Sequence, residues 1–83
     1  MTVRLFARLR DAAGAAECEC HVAPGATAAD VWRAVAAQHP SLAPFEGSVS
    51  CAINADFAKG TALVQEGDEV AFLPPVSGGD SDR

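Results

Sequence analysis

Three cysteines, two histidines, one lysine and a pair of glycines near the end are the residues of this chain that could do chemistry. Cys18 and Cys20 have one residue between them, which in an extended segment puts both thiols on one face, about 6.6 Å apart along it. A disulfide between such neighbours is badly strained. A zinc site asks for four ligands at matched spacing, and His21 points to the other face. No Lys or Arg stands beside a cysteine to lower its thiol pKa. Cys18, Cys20 and Cys51 therefore read as small apolar core residues, and no metal site is expected. His21 lies among the outward-facing acids Glu17 and Glu19. His39 ends a helical pattern, where the dipole favours a cation. Both histidines, and Lys59, read as solvated surface.

The last ten residues carry the strongest signal. Pro74-Pro75-Val76-Ser77-Gly78-Gly79 is followed by Asp80-Ser81-Asp82-Arg83. Two prolines exclude a helix and a central sheet position, and two glycines remove every Cβ restriction. An extended arm ending in Gly-Gly can enter a channel too narrow for any side chain. Such a shape suits a chain end that is itself the reactant. A terminal carboxylate is a poor electrophile until it is activated as a mixed anhydride with AMP. Sulfur can then displace AMP and leave a thiocarboxylate, a good nucleophile at neutral pH. A bare Gly-Gly, by itself, would read only as a flexible end.

The rest of the chain must carry that arm. Eighty-three residues, 49% of them hydrophobic and 20% charged, are enough for one small core and too apolar for a disordered tail. The net charge of −5, with its six Lys and Arg scattered, argues against nucleic acid. No apolar run reaches the roughly 18–20 residues of a membrane span, and no signal peptide is visible, so the cytoplasm is expected. With no Tyr and one Lys, a self-contained active site is a poor expectation. A carrier or small subunit is the better one.

Residues 2–9 alternate, with Val3, Leu5, Ala7 and Leu9 on one face and Thr2, Arg4, Phe6 and Arg8 on the other, which predicts a strand. Residues 10–14 predict a helical turn or loop closed by Gly14. Glu17 to Val22 alternate again as a second strand. Thr27 and Asp30 predict a capped helix running to about His39, where Pro40 ends it. Pro40 to Gly47 reads as loop pinned by Leu42 and Phe45. Val49 to Asn54 predicts a third strand, 54–56 a turn, 57–64 a short strand or irregular segment ending at Leu63, and Glu69 to Leu73 the last strand.

One helix crossing a mixed sheet gives an α+β layer pair, and the apolar first and last strands should be central, adjacent and parallel. That arrangement is a ubiquitin-like β-grasp. Residues 1–73 would form it, 74–79 the arm, and 80–83 an extension. Phe6 then shares the uncovered sheet face with Ala71 and Leu73, an apolar patch beside the root of the arm and a candidate partner surface.

The stretch Glu66-Gly67-Asp68-Glu69-Val70-Ala71-Phe72-Leu73-Pro74-Pro75-Val76-Ser77-Gly78-Gly79 closely resembles the C-terminal signature of the molybdopterin synthase small subunits. Residues Val3 to Gly14 and Ala52-Ile53-Asn54 resemble the same family. The likeness runs in order over residues 2–79. It implies a sulfur carrier whose Gly79 is adenylated by a ubiquitin-activating-like adenylyltransferase using ATP, then converted to a thiocarboxylate by a sulfur donor protein. It also implies that Pro74 to Gly79 insert into the synthase large subunit. That subunit would hold the acid–base groups, and sulfur would pass to cyclic pyranopterin monophosphate. No cofactor bound to the carrier itself is implied. The family pattern ends at Gly-Gly, whereas Asp80 to Arg83 follow here. With them attached Gly79 carries an amide and cannot be adenylated, so either a processing protease removes the four residues, or this form is a precursor, or the chain serves another purpose. Carriers for thiamine, cysteine or tRNA thiolation, and ubiquitin-like modifiers, are the alternatives.

Overall fold

The computed structural model describes residues 1–74. The elements follow one another as β1 (Thr2–Leu5), α1 (Ala7–Ala13), β2 (Glu17–Glu19), α2 (Ala28–Gln38), a 3-10 helix (Pro40–Phe45), β3 (Ser50–Ile53), β4 (Asp56–Ala58) and β5 (Glu69–Leu73). The strands form one five-stranded sheet in the order β2-β1-β5-β3-β4. β1 and β5 are parallel neighbours, with Val3 opposite Val70 and Leu5 opposite Phe72. The other pairings are antiparallel. A mixed sheet with a helix across one face and its first and last strands parallel at the centre is the expected β-grasp.

Period two decides which residues enter the core. Val3, Leu5, Val70, Phe72 and Cys51 face α2 and are buried; α2 answers with Ala28, Val31, Trp32 and Val35. The Trp32 and Phe72 rings meet edge to face at 5.1 Å between centroids, a favoured aromatic geometry. Helix α2 starts where the capping box predicts. The Asp30 N–H donates to Thr27 Oγ1, and the Thr27 N–H donates to Asp30 Oδ2. The carbonyls of Ala62 and Gly60 accept from the Ala28 and Ala29 N–H groups. These contacts occupy the donors that a helix start otherwise leaves open.

Several boundaries differ from the sequence expectation. β1 stops at Leu5, and residues 7–13 are helix rather than the end of a strand. The alternation was ambiguous because Leu5 and Leu9 are also i,i+4, so both periods send Leu9 inward. Ala7, at φ 51, marks the change of direction, and Leu9 is fully buried on α1. Gly14 closes α1 in the left-handed region, its N–H donating to the Arg10 carbonyl, as its position predicted. β2 ends at Glu19, so His21 and Val22 lie beyond it. β3 omits Val49 and Asn54 at its two ends. The segment expected as loop after α2 is a 3-10 helix, with Leu42 fully buried and Phe45 packed against the core. The turn after β3 is Asn54-Ala55 alone, and Asp56 already belongs to β4. Beyond β4, Leu63 bridges to Thr27 rather than ending a strand.

Candidate docking face and tail root

Leu73 is the last residue of β5 and pairs with Ser50 of β3. Pro74, half-buried, follows; lacking an N–H, it cannot extend the ladder. Among the described residues the ladder therefore ends at Leu73. Of the residues expected to form it, Pro74 is described, and Pro75, Val76, Ser77, Gly78 and Gly79 lie outside the described residues, as do Asp80 to Arg83.

The sheet register assembles the face that α2 leaves uncovered. Arg4 is opposite Ala71, Ala71 opposite Ala52, and Ala52 opposite Phe57. Two positions along, Leu73 sits beside Ser50. Phe6 follows β1 in extended conformation, at φ −119 and ψ 152, and its N–H donates to the Phe72 carbonyl at 3.3 Å. It thus extends the parallel pairing by one step and shares the Arg4 side, as alternation requires. Phe6, Ala71 and Leu73 come together as expected. Arg8 does not join them, because it belongs to α1. Phe6 is 43% exposed and Phe57 79% exposed.

Phe57 is the residue that sequence reasoning missed. Its signal was the two-residue turn Asn54-Ala55, which fixes hairpin register and so sets Phe57 across from Ala52. Both turn residues have positive φ, 52 and 73. The Asn54 side chain holds the turn in place. Its Nδ2 donates to Asp68 Oδ1 at 3.0 Å, and its Oδ1 accepts from the Glu69 N–H at 3.1 Å. The bond from Asn54 Nδ2, with one from the Gln65 N–H, holds the Asp68 carboxyl below the usual carboxylate range. Arg4 and Glu69 form an ion pair at 3.4 Å on the uncovered face.

The thiols sit where burial disfavours the thiolate. Cys20 and Cys51 are buried and Cys18 is half-buried. Burial pushes all three thiols up, and for Cys18 the neighbouring Cys20 and Glu19 add to it. The Cys51 thiol donates to the Ala58 carbonyl at 3.1 Å. His21 is exposed and His39 caps the end of α2. Among the described residues no three His, Cys, Asp or Glu side chains gather as metal ligands. Nor is any helix there long and apolar enough to cross a membrane. A groove of about 610 Å³ runs between α2 and the β4 edge, with Trp32, Cys51, Phe72 and Lys59 among its walls.

Comparison with known proteins bears on this geometry. The ThiS family model matches residues 3–79. The chain is 34% identical over 77 residues to a molybdopterin synthase sulfur carrier subunit of Arabidopsis thaliana, covering 93% of this chain and 80% of that protein. Among solved structures it resembles SAMP1 from Haloferax volcanii, with a TM-score of 0.83 and 30% identity over 94% of this chain and 97% of that one. It also resembles a chain of the Amycolatopsis orientalis BexX/CysO complex, with a TM-score of 0.71 and 26% identity over 94% and 98% of the two chains.

Proposed function

The chain belongs to the ThiS family, and we propose that within it this protein is the sulfur carrier of a molybdopterin synthase, its small subunit. The observation that carries the reading is the pairing of an apolar uncovered face with the root of a Gly-Gly arm. Phe6, Ala71, Leu73 and Phe57 line the face, and Leu73 is also the last paired residue before the Pro74-to-Gly79 stretch of the sequence. Likeness to the Arabidopsis thaliana sulfur carrier subunit supports the pathway.

In this mechanism the Gly79 carboxylate attacks the α-phosphorus of ATP on an activating adenylyltransferase, and pyrophosphate leaves. Sulfur from a donor protein then displaces AMP, and the acyl carbon keeps one oxygen and gains one sulfur. The uncovered face docks on the large subunit and Pro74 to Gly79 reach into it. There the thiocarboxylate gives its sulfur to cyclic pyranopterin monophosphate. Acid–base groups come from the large subunit, and the carrier alone catalyses nothing. It works in the cytoplasm, where thiols stay reduced, without membrane or nucleic acid. The likeness to SAMP1 and to the BexX/CysO complex favours one second reading, a carrier or modifier for another pathway on the same terminal chemistry.

The ThiS family model stops at Gly79 and leaves Asp80 to Arg83 outside. Those residues block the reaction until a protease removes them. An amide at Gly79 offers no carboxylate, and two Asp and an Arg would enter a channel shaped for glycine at a high desolvation cost. The test compares chains ending at Gly79 and at Arg83 with activating enzyme, ATP and sulfur donor, protease absent. The shorter chain should exchange one oxygen for sulfur by intact mass, and the longer should not. Thiocarboxylate or product formation by a longer chain that stays intact overturns the mechanism.

A further inference from the structure

Phe57 is the most exposed aromatic side chain among the described residues, so its own packing does little to place it. Its position on the uncovered face is set by the backbone of β4. That strand is three residues long and stands at the edge of the sheet, paired with β3. Three rungs are little to fix a register by, and a slip of one residue sends every side chain to the opposite face. For Phe57 that is the α2 side, where it could no longer meet a partner docked on the uncovered face.

The turn that joins β3 to β4 works against the strand. Asn54 and Ala55 both have positive φ, a region that a residue with a Cβ adopts at a cost, Asn at less than Ala. The Asn54 side chain offsets it. Its Nδ2 donates to Asp68 Oδ1 and its Oδ1 accepts from the Glu69 N–H, while the Asn54 N–H donates to the Glu69 carbonyl at 2.8 Å. The Gln65 N–H holds the other Asp68 oxygen at 2.8 Å. Glu69 begins β5, the central strand of the sheet, so these bonds tie the edge hairpin to the middle of the fold. At the other end of β4 the Cys51 thiol donates to the Ala58 carbonyl. A thiol is a weak donor, which leaves the Asn54 end as the stronger hold.

We infer that Asn54 is the positioning residue of the docking face: its bonds to Asp68 and Glu69 set the register that presents Phe57 to the large subunit. The inference rests on the proposed docking of that face. Asn54 acts through Phe57 rather than by touching the partner. Its loss therefore lowers affinity only where the Phe57 ring is present to be misplaced. A residue that merely stabilised the fold would weaken binding equally with and without that ring. The bonds also define what can replace them. Asn54→Asp keeps an acceptor for the Glu69 N–H but sets a second carboxylate against Asp68. Joined to Asp68→Asn, it restores the pair with donor and acceptor exchanged, and the new amide at position 68 still accepts from the Gln65 N–H.

A double-mutant cycle tests this, on the affinity of the chain ending at Gly79 for the large subunit, by titration calorimetry with thermal unfolding alongside. Asn54→Gly keeps the positive φ at no steric cost and removes only the side chain. It should weaken binding about tenfold, as Phe57→Ala does, and add less than about twofold to the loss in Phe57→Ala. Asn54→Asp should also weaken binding, and Asn54→Asp with Asp68→Asn should return it to within about threefold of wild type. The rescue decides the case even where Asn54→Gly unfolds. Wild-type affinity in folded Asn54→Gly, equal losses from Asn54→Gly with and without the Phe57 ring, or a double variant no better than Asn54→Asp overturns the inference and leaves the proposed function intact. So does wild-type affinity in Phe57→Ala. A wild-type chain that does not bind the large subunit overturns both.

Discussion

Cys51 donates its thiol to a backbone carbonyl, Cys20 is sealed in the core, and Cys18 is held protonated by burial and by its neighbours. A thiolate is the reacting form of cysteine, and a pKa raised in all three places moves each away from it. Sulfur transfer should therefore not pass through them. The variant with Cys18, Cys20 and Cys51 all replaced by Ala is expected to lose about 1–3 kcal/mol of stability, from truncation of partly and fully buried groups. Per folded molecule, a chain ending at Gly79 should keep its yield of thiocarboxylate. Denaturant midpoints give the first quantity and intact mass the second; a folded variant that gains no sulfur would show that a thiol is an intermediate. The sequence conveyed this much, since the spacing of Cys18 and Cys20 and the lack of basic neighbours already pointed inward. It did not convey Phe57, whose place follows from a turn only two residues long that tolerates Ala55 at positive φ without a glycine to announce it.

Helix α2 was legible because its start is written in side chains that satisfy specific donors. Thr27 and Asp30 each close one arm of the box, and Pro40 sets the end. Thr27→Ala should cost about 1 kcal/mol, the usual loss of an N-cap, readable as a lower thermal midpoint. Asp30 adds a pH dependence. Its carboxyl is held below the ordinary carboxylate range, chiefly by the Thr27 N–H and further by the Thr27 hydroxyl and Arg33, against some desolvation. A depressed folded pKa means that its stabilisation is present above the unfolded value, near 3.9, and is lost as pH falls through the folded one. Asp30→Asn should flatten the acid limb of the stability curve and leave the slope at neutral pH unchanged; an unaltered acid limb would refute the assignment. By contrast α1 was not legible. Its seven residues carry no side-chain cap at Phe6, and its one fully buried residue, Leu9, satisfies a strand period as well as a helical one. The Ser41 hydroxyl, donating to the Ala12 carbonyl, ties it to the 3-10 helix. That is tertiary support, which local pattern cannot reveal.

At the scale of the whole molecule, the described residues leave one face of the sheet sealed by α2 and the other uncovered, and the proposed docking uses the uncovered one. Its apolar residues are unequal as probes. Leu73 is half-buried and pairs at the end of β5, so an acid there disturbs the sheet as well as any interface. Phe57 is 79% exposed on an edge strand, so little of its apolar surface is buried by folding, and exposed substitutions away from special features usually change stability by about 0.5 kcal/mol or less. Docking would bury that ring, and a carboxylate in its place would have to lose its water against an apolar partner surface. Phe57→Asp is therefore expected to weaken binding to the large subunit at least tenfold, equivalent to about 1.4 kcal/mol, with the thermal midpoint nearly unchanged. Phe6→Asp should weaken it comparably, and Leu73→Asp should lower both affinity and stability. Titration calorimetry against the large subunit, with thermal unfolding alongside, separates these cases. Wild-type affinity in folded Phe57→Asp and Phe6→Asp chains would remove the open face from the interface and leave the arm alone to account for recognition.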